Sequence, residues 1–177
     1  AGEQCLLRFQ PGQPAKAFLD PPVRGEAIRA LCADGDTLWV GTYYSTLLKW
    51  DAGGVQVVAP AGSFAGGISS IVREAADTLW IGTSSGLHRW EKGKVQTWTT
   101  RDGLLTANIR TLHREAAGTL WIGTLGGGLA RMKDGRFVHI TTRQGLIDDV
   151  ISQIMPDDSG ALWLGCNRGI MRVERSK

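Results

Sequence analysis

The sequence predicts an all-β fold of repeated four-stranded antiparallel sheets, and three observations lead to it. The hexapeptide Thr37-Leu38-Trp39-Val40-Gly41-Thr42 recurs at 78–83, at 119–124 and, in relaxed form, as Ala161-Leu162-Trp163-Leu164-Gly165-Cys166, with tryptophans spaced 41, 41 and 42 residues apart. A basic residue returns at one position of every copy: Arg8, Lys49, Arg89, Arg131 and Arg172. Glycine supplies 24 of 177 residues, roughly twice ordinary usage, while six prolines and 42% hydrophobic residues describe a turn-rich folded chain rather than a disordered one.

Within each repeat the elements follow in order. An apolar stretch comes first, at 28–31, 68–71, 109–112 and 151–154. Its apolar residues stand three apart, which suits a helix, but the runs are too short, and turn residues such as Asp34-Gly35-Asp36 and Asp157-Asp158-Ser159-Gly160 close behind them. They read as strands. The tryptophan hexapeptide makes a second strand, its β-branched and aromatic residues suited to a pleated surface, with Gly41, Gly82, Gly123 and Gly165 permitting close backbone approach. A third strand carries the recurring cation, and a glycine turn leads to a fourth at 55–58, 95–99 and 137–141. Four antiparallel strands in about 41 residues form a β-propeller blade.

The phase of the repeat sets the boundaries. Residues 1–24 hold the last two strands of a blade, 25–64, 65–105 and 106–147 hold complete blades, and 148–177 hold the first three strands of another. About four blades are expected, arranged either as an arc or as a small ring closed by strand exchange between the ends. One blade cannot bury its own faces, so Trp39, Trp80, Trp121 and Trp163 are expected between neighbouring blades. In an arc the exposed blade ends would favour a homodimer, two copies joining end to end.

Composition narrows the partners. Twenty basic and 17 acidic residues are dispersed along the chain, leaving a net charge of +3 and no Lys/Arg block for a phosphate backbone, so no nucleic-acid partner is expected. No stretch approaches the roughly 18 apolar residues of a membrane span, and membrane attachment is expected only through segments outside this chain. Cys5, Cys32 and Cys166 show no CxxC spacing and read as small buried hydrophobes, with a Cys5–Cys166 bridge open if the ends meet.

With these residues in hand, the succession of "TLWIGT", "GGL.R", "G.F" and "(D/Q)GL" is similar to the two-component regulator propeller repeat. The fullest copy is 109–146, with Gly126-Gly127-Gly128-Leu129, Gly135-Arg136-Phe137 and Gln144-Gly145-Leu146 in place. The first complete copy departs: Tyr43-Tyr44-Ser45-Thr46 replaces the glycines, and 61–67 replaces the Asp-Gly-Leu link. The resemblance implies a periplasmic or otherwise extracytoplasmic sensor region of a longer membrane protein whose output is a histidine kinase or diguanylate cyclase. It implies signal transduction through binding of a small-molecule or carbohydrate ligand, or through a change in blade packing.

Searching for chemistry yields no GxSxG, HExxH or Walker loop, and Gly126-Gly127-Gly128 precedes a strand rather than a helix. His88, His113 and His139 are scattered without metal-ligand spacing, so neither a metal nor a cofactor is expected. Asp34, Asp36, Asp77, Asp157 and Asp158 fall in hairpin turns, where such residues bond their own backbone, while Asp148 and Asp149 lie in the more open link between blades. The recurring cations either line a solvated strand face or converge on an anion.

A site, where present, is expected on the face built by the second-to-third-strand loops and the blade links. The candidates for ligand binding are Tyr43, Tyr44, Ser84, Asn108, Asn167 and Arg168, with the tyrosines foremost because exposed rings offer stacking surface and a polar tip. The leading expectation is a non-catalytic ligand-sensing propeller segment of a bacterial membrane-bound regulator. The alternative is a structural or protein-interaction propeller that self-assembles through its blade ends, and a polysaccharide-cleaving propeller ranks last.

Overall fold

A computed structural model describes the backbone of residues 6–8 and 16–19 and all of residues 26–174. Strands β1 (Leu6–Arg8) and β2 (Lys16–Leu19) form a two-stranded sheet. Three four-stranded antiparallel sheets follow, each in sequence order: β3 (Ile28–Asp34), β4 (Thr37–Thr42), β5 (Leu47–Asp51) and β6 (Gly54–Ala59); β7 (Ile68–Ala75), β8 (Thr78–Thr83), β9 (Leu87–Glu91) and β10 (Lys94–Trp98); β11 (Ile109–Arg114), β12 (Leu120–Thr124), β13 (Leu129–Lys133) and β14 (Arg136–Ile140). The last sheet holds β15 (Ile151–Pro156), β16 (Ala161–Cys166) and β17 (Gly169–Glu174). The first strands of consecutive sheets lie side by side, β3 against β7, β7 against β11 and β11 against β15. The fold is all-β, with the blades of a propeller. Among the described residues β17 pairs with β16 alone and β1 with β2 alone, so the pairing is that of an arc and not of a strand-exchanged ring.

The hexapeptide glues blade to blade. Trp39, Trp80 and Trp121 are buried in three successive clusters; Trp39 meets Trp90 of the next blade edge to face, with centroids 5.6 Å apart. The glycine two residues on admits the first isoleucine of the following blade. A methyl group at Gly41 would stand 2.4 Å from Ile68 Cγ2, one at Gly82 2.6 Å from Ile109 Cγ2, and one at Gly123 2.9 Å from Ile151 Cγ2. Such distances lie inside van der Waals contact, so these positions are restricted to glycine by the neighbour. The expectation fails at the last copy: Trp163 is 43% exposed, because no further blade covers it among the described residues, and a methyl group at Gly165 would find only Gln153 Cβ at 3.2 Å.

The three-residue spacing of the first strands has a local cause. Ile68 pairs with Thr83, Ser70 with Gly82 and Ile71 with Ile81, so one extra residue, Ser69, is inserted opposite a single step of the partner. The same β-bulge falls between Ile28 and Ala30, between Ile109 and Thr111, and between Ile151 and Gln153. The inserted residue shifts the alternation by one, which lets Ile68 and Ile71 both reach the core although they are three apart.

Two blade links are tighter than a plain loop. Thr99 and Thr141 end no strand; each caps a short 3₁₀ turn, over Thr100–Asp102 and Thr142–Gln144, through a reciprocal capping box. Gly103 and Gly145 close those turns in the left-handed region and deliver Leu104 and Leu146 into the core.

Among the described residues three of the recurring cations of the third strands are committed to carboxylates, and Arg131 is in no ion pair. Lys49 lies 3.5 Å from Asp51 and 3.6 Å from Asp77 of the next blade, Arg89 2.7 Å from Glu74, and Arg172 3.0 Å from Asp157. Arg73 reaches back 2.7 Å to Asp34, adding a second cross-blade pair. These form a part-exposed ionic belt, worth little individually, and do not converge on a shared anion. Arg8 lies outside the residues whose side chains are described, as does Cys5 and with it the Cys5–Cys166 bridge. Cys32 and Cys166 are partly buried against the core, and burial pushes the Cys32 thiol pKa up, which suits an inert packing role.

Candidate functional site

At the mouth between the first three complete blades lies a cavity of about 440 Å³, within the range of small-ligand sites. Its first wall is the β4–β5 loop. Thr42 and Thr46 both donate their hydroxyls to the Glu26 carboxylate, the latter at 3.0 Å, while the Thr42 and Ser45 amides close the turn. Ser45 takes a positive φ of 63° and is buried, donating to the Phe64 carbonyl at 3.0 Å and accepting from the Gly62 amide at 3.1 Å. The loop is thereby stitched to the link that follows β6, and Tyr43 and Tyr44 are left 52% and 59% exposed, ring edge to ring face at 5.2 Å.

The second wall is the link itself. Gly66 and Gly67 leave no room for a side chain: a methyl group at Gly66 would stand 2.3 Å from Ser84 Oγ and one at Gly67 2.5 Å from the Tyr43 carbonyl oxygen. The departure of 61–67 from the Asp-Gly-Leu pattern therefore has a packing reason, since it lets the tyrosine loop and the β8–β9 loop meet. Ser84 and Asn108 complete this side, and among the described residues neither side chain has a hydrogen-bond partner.

The third component comes from the bulges. Arg29, Ser69 and Arg110, the inserted residues of β3, β7 and β11, all line the cavity. Ser69 spends its hydroxyl on the Ile109 and Gly82 carbonyls, at 2.7 and 3.0 Å, and so staples two blades. Arg29 lies over the Tyr43 ring, 5.5 Å from its centroid. Among the described residues no carboxylate lines the cavity.

Tyr43, Tyr44, Ser84 and Asn108 thus share one cavity. Asn167 and Arg168 do not; they form the exposed β16–β17 turn of the last sheet, set apart because the sheets fan outward in sequence order. Arg29, Arg110 and the two glycines were not among the sequence candidates. The signal for the arginines was the off-register spacing of the first strands.

Other polar groups are accounted for by structure. Asp102 caps the Thr99 amide, Asp148 accepts from the Val150 amide, and Asp149 accepts from the amide and hydroxyl of Thr142. Asp157 accepts from the Ala161 amide, the Ser159 hydroxyl and Arg172, which hold its carboxyl well below the usual range. His88 is buried between Thr83 and Thr97, at 3.1 and 2.9 Å, and desolvation lowers its pKa to about 4. It is neutral near pH 7 and tied up at both nitrogens. His139 meets the Gly103 carbonyl at 2.7 Å. Among the described residues no group of three or more His, Cys, Asp or Glu side chains is placed to hold a metal, and no helix is long and apolar enough to cross a membrane.

A larger cleft of about 610 Å³ opens between β13–β14 and β17, lined by Trp121, Val138 and Val173 with Arg131, Arg172 and Glu174 at its rim. It runs beside the free edge of β17 and holds none of the candidate residues. The smaller cavity is the better site, because uncommitted polar groups from three blades meet there.

No curated protein matches the chain in sequence. Among solved structures, the extracellular domain of the hybrid two-component system BT3049 of B. thetaiotaomicron aligns over 95% of this chain at 21% identity and a TM-score of 0.72. That of the one-component system BT4673 of the same organism aligns over 96% at 21% identity and 0.74. The chain spans about a quarter of the length of each, 25% in both cases. Virginiamycin B lyase of Staphylococcus aureus aligns over 85% of this chain and 53% of its own at 14% identity and 0.66, so the fold also carries enzymes. Residues 145–168 match the two component regulator propeller family, and the chain is a propeller that carries this repeat.

Proposed function

We propose that this chain is the ligand-sensing part of a signalling propeller displayed outside the cytoplasm, holding a small hydroxylated ligand such as a sugar in the mouth cavity without chemical conversion. The observation that carries this reading is the meeting of two exposed tyrosine rings with the uncommitted Ser84 hydroxyl and Asn108 amide around one cavity. Ring faces suit the apolar faces of sugars, and hydroxyl and amide groups suit their rims. Among the described residues the lining holds tyrosine, serine, asparagine and arginine side chains, groups that bind a sugar, and no pair of carboxylates of the kind that cleaves a glycoside. Because the cavity is walled by three blades, the second and third stapled through Ser69, an occupant that draws the tyrosine loop inward shifts blade packing, the route by which a signal would leave.

Calorimetric titration of the chain with a panel of mono- and disaccharides tests this. A saturable binder whose affinity falls about tenfold or more in both Tyr43→Ala and Tyr44→Ala supports it, the scale expected for a lost stacking contact. Binding indifferent to both tyrosines, or no binding across the panel, rejects it.

A second reading, assembly through a blade end, is favoured by the face of the last sheet, where Met155, Trp163 and Ile170 are 58%, 43% and 73% exposed. Elsewhere in the molecule the equivalent tryptophans are covered by another blade of the same repeat, which makes a second copy the fitting homodimer partner. Light scattering over a concentration series decides: a dimer that Trp163→Asp dissociates is expected, and a monomer throughout removes the reading.

A further inference from the structure

We infer that the mouth cavity selects an anionic ligand, a hydroxylated carboxylate such as a uronic acid, and that Arg29 and Arg110 are the residues that recognise its charge. The inference rests on the mouth cavity being the binding site and adds the chemical class of its occupant.

Three observations carry it. First, the β-bulge recurs in every first strand, and the inserted residue is basic in the first and third complete blades and serine in the second and the last sheet: Arg29, Ser69, Arg110, Ser152. A bulge re-aims the inserted side chain away from the plain alternation of the strand. Here it places two arginines in the lining of one cavity on either side of Ser69, since β3, β7 and β11 lie in that order round the mouth.

Second, these cations are not neutralised. Lys49, Arg73, Arg89 and Arg172 are held in ion pairs, whereas among the described residues Arg29 and Arg110 are in none. The acidic side chain closest in the fold to the tyrosine loop, Glu26, has both carboxylate oxygens occupied by Thr42 and Thr46 and does not line the cavity. Among the described residues the lining of the cavity therefore holds two cationic side chains and no anionic one.

Third, Arg29 is pre-positioned over the Tyr43 ring at 5.5 Å. A stacked guanidinium keeps its planar donor edge free, which matches a carboxylate in a two-point contact. With tyrosine rings for the sugar face, the Asn108 amide and Ser84 hydroxyl for ring hydroxyls, and the arginines for the acid, each group of a uronic acid has a partner of suitable chemistry.

The test is a titration of the full chain, isotopically labelled for NMR, with sodium glucuronate and in parallel with glucose, at matched ionic strength. Glucuronate is expected to shift the Nε–H signals of Arg29 and Arg110 saturably and to bind about tenfold more tightly than glucose. Arg29→Gln and Arg110→Gln should each weaken glucuronate several-fold more than they weaken glucose, Arg29→Lys should restore part of the loss, and added salt should weaken glucuronate more than glucose. Equal affinity for the two probes, or glucuronate shifts confined to the ionic belt of Lys49, Arg89 and Arg172, overturns the inference while shifts at Tyr43 and Asn108 keep the site. If neither probe perturbs Tyr43, Tyr44 or Asn108, the site itself is overturned together with its charge preference.

Discussion

Trp39 and Trp163 hold the same position of the same repeat, yet one is 2% exposed and the other 43%. The first is covered by Trp90 of the following blade, with Lys49 lying over its ring at 5.6 Å, whereas the second faces outward from the last sheet. The sequence motif therefore specifies a sticky face, and burial comes only from the neighbour that covers it. Stability in such a fold is a sum of blade interfaces rather than a property of each blade.

The largest way to sharpen this contrast is to truncate the two tryptophans. Trp39→Ala should cost about 3–5 kcal/mol, the usual range for an aromatic removed from a packed core, and Trp163→Ala about 1 kcal/mol or less in the monomer. Chemical denaturation of both variants measures it, and equal losses would show that the last sheet is covered in solution.

The second contrast concerns the core of the second complete blade, where His88 occupies the place taken by Leu48, Ala130 and Met171 in the other sheets. Its pKa is lowered to about 4 by desolvation, below the unfolded value near 6.5. Above pH 6.5 both states are neutral and nothing is lost. As pH falls from 6.5 towards 4 only the unfolded chain takes up the proton, so stability declines, by on the order of 3 kcal/mol in total, and the decline levels off below the folded pKa. His88→Gln should remove this portion of the acid sensitivity in urea titrations at pH 7 and pH 4.5. An unchanged slope with pH would place the sensitivity elsewhere.

The smallest expected difference lies at the glycines. Gly82→Ala drives a methyl group to within 2.6 Å of Ile109 and should cost about 1–3 kcal/mol, as overpacking does. Gly165→Ala meets only Gln153 at 3.2 Å and should stay within about 0.5 kcal/mol. Thermal melts of the pair compare them directly.

Much of the fold was legible because the repeat is written in residues with stiff local consequences. Tryptophan, β-branched residues and the glycine turn fix four short strands per copy, and the Thr-x-x-Asp-Gly-Leu and Thr-x-x-Gln-Gly-Leu links encode a capped turn followed by a buried leucine. The candidate site was half legible. Tyr43, Tyr44, Ser84 and Asn108 stood out as loop residues of the right chemistry, but Arg29 and Arg110 were hidden inside strands, where strict alternation assigns them no special direction. The three-residue spacing that hinted at a helix was the mark of the bulge. The recurring third-strand cations drew attention for their periodicity, yet Lys49, Arg89 and Arg172 are spent on ion pairs to turn or strand carboxylates.

By itself the sequence determined the strand order, the blade unit and which loops carry aromatic and polar groups, because these follow from local propensity and from spacing along the chain. Tertiary structure alone decided which tryptophans are covered, which cations are spent on carboxylates, and which side chains from three different blades face one cavity. Those outcomes depend on the distance between residues about 40 positions apart, as Ser69 Oγ and the Ile109 carbonyl show at 2.7 Å, and no local rule sets that distance. It is fixed only when one blade packs against the next.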